Sequence, residues 1–187
     1  MTTLASSGNL SVVKSNTTKM VRKANGNLVT GVIVSGSLQI FEKGKNSNTW
    51  TRVATGGGGV HDFALETIGN KTIVLVNQLT TTYCWVFSDT WTQESSTLVH
   101  QRTNQVGAVS IRSNRAGTEL HVACSGYMPE HSTSLHPVIF YVKGTIASNG
   151  IVTWSAVVQL TTQTGSRSYD TFISSVMVDD IGNPYMV

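Results

Sequence analysis

Apolar and polar residues alternate along this chain in short runs, and the runs are separated by turns rich in glycine and asparagine. Alternation with a period of two sends successive side chains to opposite faces of an extended strand, so each run predicts a β-strand. The runs fall at 10–14, 19–23, 28–34, 37–43 and 50–53, then at 63–67, 72–77, 82–87 and 91–94. Further runs cover 108–112, 119–124, 138–142, 154–158 and 171–178, and another strand begins after Gly182. Asn25-Gly26 between two such runs is a strong hairpin signal, because both residues tolerate positive φ. No long stretch carries the periodicity of an amphipathic helix.

The runs group into units. A turn glycine recurs at Gly26, Gly69, Gly117 and Gly182, in steps of 43, 48 and 65 residues. A Thr-Trp pair follows each of the first three, ending at Trp50, Trp91 and Trp154, in steps of 41 and 63. Two landmarks that keep one order and similar steps predict an internal repeat of roughly 40–50 residues. The third unit is lengthened by a long loop at 125–137, marked by Gly126, Pro129 and Pro137. The predicted units are 17–55, 60–99, 105–162 and 168–187, within a single domain spanning 1–187.

Four short antiparallel strands at this period are the signature of a β-propeller blade. The expected fold is therefore all-β, a propeller-type array with about three and a half blades present. A sandwich or jelly roll would also show regular strands, but would not need the same turn and Trp landmarks in each unit. Residues 9–15 align with 153–159, which predicts that 6–14 is the outer strand of an incomplete blade. The array is accordingly expected to be a fragment of a larger propeller or to be completed by oligomerisation.

Composition narrows the function classes. Only 12% of residues are charged, while 40% are hydrophobic, which suits a packed β-protein with many tight turns. The net charge is +3, but the basic residues are scattered with no Lys/Arg run, which excludes a nucleic-acid footprint. Cys84 and Cys124 lie in apolar runs without a zinc-type spacing and read as small core residues. No window approaches the length of a membrane span. The first residues have neither a basic start nor an apolar stretch, so they do not read as a signal peptide. A virion-associated, extracellular or cytoplasmic location stays open.

The turns before the tryptophans read Lys43-Gly-Lys-Asn-Ser-Asn-Thr-Trp50, Ser88-Asp-Thr-Trp91 and Ser148-Asn-Gly-Ile-Val-Thr-Trp154. They resemble the Asp-box, or BNR, repeat of sialidase-like propellers, Ser-x-Asp-x-Gly-x-Thr-Trp. Thr-Trp is kept throughout, whereas the Asp is missing in the first turn, the second is shortened and the third is displaced. On physical grounds each Trp is read as structural: it buries a large surface, and its N–H is expected to reach a turn carbonyl.

In a propeller blade, the connections between strands two and three and those leading into the next blade share one face. That face collects the candidate ligand-binding residues: His61 and Asp62, Arg102, Tyr127, Glu130 and His131, and Arg167, Tyr169 and Asp170. The resemblance to sialidases implies three arginines on a sugar carboxylate, an Asp acid/base and a Tyr–Glu nucleophile pair. Arg102 and Arg167 suit the first role, but no third arginine and no Tyr–Glu pair can be assigned. No catalytic residue, metal ligand or cofactor is therefore assigned, since fold does not dictate activity. The leading expectation is a non-enzymatic recognition module for a glycan or cell-surface ligand, as in a phage tail or a secreted surface protein. The alternatives are a sialidase-like exo-glycosidase and a structural piece that mediates assembly.

Overall fold

A computed structural model of the protein describes residues 19–78, 80–101, 106–127, 137–160 and 175–186. Among the described residues all regular structure is β, arranged as consecutive antiparallel strands. The first sheet contains β1 (Met20–Arg22), β2 (Leu28–Val34), β3 (Ser37–Lys43) and β4 (Thr51–Gly56), in that order. The second contains β5 (Val60–Ile68), β6 (Lys71–Gln78), β7 (Thr81–Phe87) and β8 (Gln93–Gln101), again in chain order. The third runs from β9 (Val106–Ser113) through β10 (Glu119–Tyr127) to β11 (Pro137–Ile146), with β12 (Val152–Trp154) and β13 (Val158–Gln159) both pairing with β11. A two-stranded sheet of β14 (Val176–Val178) and β15 (Pro184–Met186) follows. The two segments β12 and β13 are one outer edge interrupted at Ser155–Val157, where the alignment predicts one strand over 154–158.

The sheets stack on their faces. Val29, Ile33, Leu38 and Ile40 of the first sheet meet Phe63, Leu65, Val74 and Val76 of the second in one buried cluster. Ile73, Leu75, Cys84 and Val86 of the second meet Val109, Ile111, Leu120 and Val122 of the third in another. The second sheet is thus covered on both sides, which is why β6 carries the unbroken apolar run Ile73-Val-Leu-Val76 instead of a strict alternation. Gly31 on β2 allows this stacking: a methyl there would meet the Phe63 ring at 2.7 Å.

The first strands of the sheets neighbour one another, β1 beside β5, β5 beside β9, and β9 beside β14. Side chains cap backbone groups across these junctions. Lys19 Nζ donates to the Phe63 carbonyl, Asp62 accepts from the Val109 N–H at 3.0 Å, Glu66 from the Ser113 N–H at 3.2 Å, and Ser110 Oγ from the Val176 N–H at 3.1 Å. An edge strand presents unpaired N–H and C=O groups, and these bonds satisfy some of them without another strand.

The recurrent turn glycines close the hairpins between first and second strands, all with positive φ: Gly26 (90°), Gly69 (60°), Gly117 (68°) and Gly182 (95°). In three of these turns a side chain supports the bend. Asn25 accepts from the Asn27 N–H, Asn114 from the Thr118 and Glu119 N–H groups, and Asp179 from the Ile181 and Asn183 N–H groups. Adjacent turns are also tied together, by Ala24 N–H to the Gly69 carbonyl and Asn25 N–H to Asn70 Oδ1, both at 3.0 Å.

The tryptophans join one sheet to the preceding one. Trp91 Nε1 donates to Glu42 on β3 at 2.6 Å, and Trp154 Nε1 to the Thr97 hydroxyl on β8 at 3.0 Å. Their acceptors are side chains of the neighbouring sheet, not the turn carbonyls expected from the sequence. Trp91 also does not open a strand: it sits in the β7–β8 turn at φ 65°, and β8 begins two residues later at Gln93. A lysine completes each junction. Lys23, fully buried, reaches Glu42 at 3.1 Å and Asp89 at 3.3 Å and lies 4.5 Å from the Trp91 ring centroid. Lys71 correspondingly bridges Glu94 and the Ser148 carbonyl of the third sheet.

Candidate functional site

Strand pairing brings one set of strand ends together. Val60 pairs with Gln78, Thr81 with Gln101, Gly126 with Val106, and Tyr127 with Pro137. The connections leading into β5 and β9, and those from β6 to β7 and from β10 to β11, all leave from this end. The tied glycine turns and the Trp-bearing turns occupy the opposite end of the same strands.

His61 and Asp62 fall inside β5 rather than in a loop leading into it. Pairing with β6 shifts between Val60 and Asp62, so His61 is the extra residue of a bulge, and its side chain is exposed at the candidate face. Asp62 is buried, 3% exposed. One oxygen meets Lys19 Nζ at 2.7 Å and the other accepts the Val109 N–H, so this carboxylate joins β5 to its neighbours. Burial pulls the Lys19 ammonium below its ordinary range, and the adjacent Asp62 charge opposes that shift. Lys19 also lies over the Phe63 ring, 4.4 Å from its centroid. Tyr127 is the last residue of β10. Arg102, Glu130, His131, Arg167, Tyr169 and Asp170 lie outside the described residues.

The floor of this end is the glycine run from Gly56 to Gly59. This run is a pinned bend, not a loose connector. Val60 N–H donates to the Gly36 carbonyl at 2.8 Å, and Gln78 Nε2 to the Gly58 carbonyl at 3.1 Å. Gly57 has φ 69°, and a methyl on it would meet Gln78 Nε2 at 2.8 Å. Around Gly58 and Gly59 the space is open. Asn77 Nδ2 donates to the Gly107 carbonyl, and Ser125 Oγ accepts the Ala108 N–H at 2.9 Å, which fixes the start of β9 between β6 and β10.

A second polar group lies away from this end, on the face of the third sheet turned from the second. Glu119 and His121 on β10 and Tyr141 and Lys143 on β11 come together there. Glu119 Oε1 is 2.5 Å from Lys143 Nζ, and His121 Nδ1 is 2.8 Å from the Tyr141 hydroxyl. The hydrogen bond from Lys143 holds the Glu119 carboxyl below its usual range. The alternation Glu119-Leu-His121-Val puts the first two polar groups on one face, but their partners on β11 depend on a register that spans the long loop. Among the described residues no three His, Cys, Asp or Glu side chains gather as metal ligands.

Comparison with known proteins finds no family model that matches the chain and no curated protein that matches it.

Proposed function

We propose that the chain is a non-enzymatic recognition module, a sialidase-like propeller scaffold or part of one, whose loops on one face bind a glycan or cell-surface partner. The observation that carries this reading is the difference between the two ends of the sheets. One end is closed by short turns bonded to each other and to neighbouring sheets. The other is where the two longest connections, 128–136 and 160–175, leave the strands, and His61 is exposed there. Such a division gives a rigid base and a surface whose loops can vary without cost to the core.

The chemistry of the described strands favours binding over turnover. Asp62, Glu66 and Glu42 each spend their oxygens on N–H groups or ammonium groups that hold strands together. A carboxylate so engaged is a poor general acid or base. The recognition surface would combine His61, Arg102, Tyr127, Glu130, His131, Arg167, Tyr169 and Asp170, using guanidinium forks and aromatic faces to hold a polar sugar. Face-to-face stacking with neighbouring first strands supports a propeller arrangement.

The test is binding of the purified chain to a panel of immobilised glycans, with released sugar assayed in parallel. Retention on particular glycans without release is the expected result. Release of sialic acid would replace this reading with the exo-glycosidase. No retention would overturn glycan recognition.

A further inference from the structure

The group around His121 contains a titratable side chain that the binding face does not use. His121 is 1% exposed, in the middle strand of the third sheet. Directly across from it in the strand register stand Arg112 on β9 and Lys143 on β11. Arg112 is paired to Glu66 of the second sheet at 3.6 Å, and Lys143 to Glu119. The imidazole stacks on Tyr141, with ring centroids 6.1 Å apart, and shares Nδ1 with its hydroxyl. Nε2 has no hydrogen-bond partner and sits 3.8 Å from Glu119 Oε2. Strand β14, which lies against β9 and β10, carries no titratable side chain, and the carboxylates of its hairpin, Asp179 and Asp180, lie in the turn.

We propose that His121 is an acid-sensitive lock on the β10–β11 hairpin, held neutral at ordinary pH and opened when protonation makes it a second cation competing with Lys143 for Glu119. A neutral ring fits this place, because it needs no counter-charge and leaves Glu119 to Lys143. An imidazolium would be buried beside the Lys143 ammonium, and its Nε2–H would compete with Lys143 for the Glu119 carboxylate. The cost falls on the pairing of Glu119 with Lys143 and on the Tyr141 contact, both of which cross from β10 to β11. The same two strands carry Tyr127 and Pro137 at their far ends, so loosening would be transmitted along the paired strands to the loop that joins them.

Burial lowers the His121 pKa from 6.5, Glu119 opposes the shift and Lys143 adds to it. The unfolded chain takes up the proton first, so the stabilisation is complete above about 6.5 and is lost as pH falls through the folded-state value.

The experiment compares thermal unfolding of the full chain and of His121→Gln over a series of pH values from 8 down to 5, on the order of the window in which histidine titrates. The wild type is expected to lose more of its midpoint on acidification than the variant, whatever the difference between them at pH 8. Equal slopes would overturn the proposal. Because the variant could be weakened for other reasons, the imidazole is also followed by NMR in wild type and in Glu119→Gln. Removing the carboxylate should move the His121 titration to lower pH. A titration that stays in place, or moves upward, would contradict the lock.

Discussion

At the residue scale, side chains that look available for chemistry are fasteners. Glu42 accepts Trp91 Nε1, Asn27 Nδ2 and the Lys23 ammonium, and these donors overcome burial to hold its carboxyl below the usual range. The contribution is therefore present above the unfolded carboxylate value and is lost as pH falls through the lowered one. A hydrogen bond to an ionised acceptor is stronger than one to a hydroxyl. Trp91→Phe should accordingly cost about 2 kcal/mol and Trp154→Phe about 1 kcal/mol, read by urea unfolding. The reverse order would show that the indole N–H groups are not what joins the sheets. Asp62 is a sharper case. Its loss leaves Lys19 and the Val109 N–H without the carboxylate, and Asp62→Ala should destabilise by about 3 kcal/mol. A change below about 1 kcal/mol would return Asp62 to the list of ligand contacts.

At the scale of elements, Cys84 reports on the stacking of the second and third sheets. It is wholly buried between them, and burial pushes its thiol up to about 12. The thiolate is the reactive form, so Cys84 should resist alkylation in the folded protein at pH 8 and react once the sheets part in denaturant. Rapid modification of the native chain would mean that the interface opens. Strands β2 and β3 were legible to the residue, because each has one face in the core and a tight turn at either end. The outer strand β8 was not. Its solvent-facing run Gln93-Glu-Ser-Ser-Thr97 lacks an apolar alternation, and Trp91 drew its start two residues early. Nor could the candidate site be resolved in advance. Asp62 follows a glycine run and reads as a loop residue, whereas its place is set by the bulge at His61 and by Lys19, just before β1 and 43 residues away in sequence. The pairing of Glu119 with Lys143, like that of Lys23 with Asp89, depends on contacts between segments distant in sequence.

At the scale of the whole molecule, the described residues form two four-stranded sheets, a third whose outer edge is split into β12 and β13, and a hairpin, in chain order, and their two ends are built differently. The repeat predicts the strands; the junction chemistry explains why one end cannot vary freely. The glycine turns are bonded to their neighbours, and the Trp-bearing turns reach into the sheet before. The proposed ligand recognition then falls to the end from which the two longest connections, 128–136 and 160–175, leave. The most direct measurement is glycan binding by paired variants, with Arg167→Ala and Tyr169→Ala removing proposed ligand contacts and Asn70→Ala altering the end closed by the glycine turns. The account predicts that the first pair abolishes retention while the folded Asn70→Ala protein keeps it. Retention that survives the first pair and is lost in Asn70→Ala would place the binding surface at the wrong end of the sheets and contradict the account.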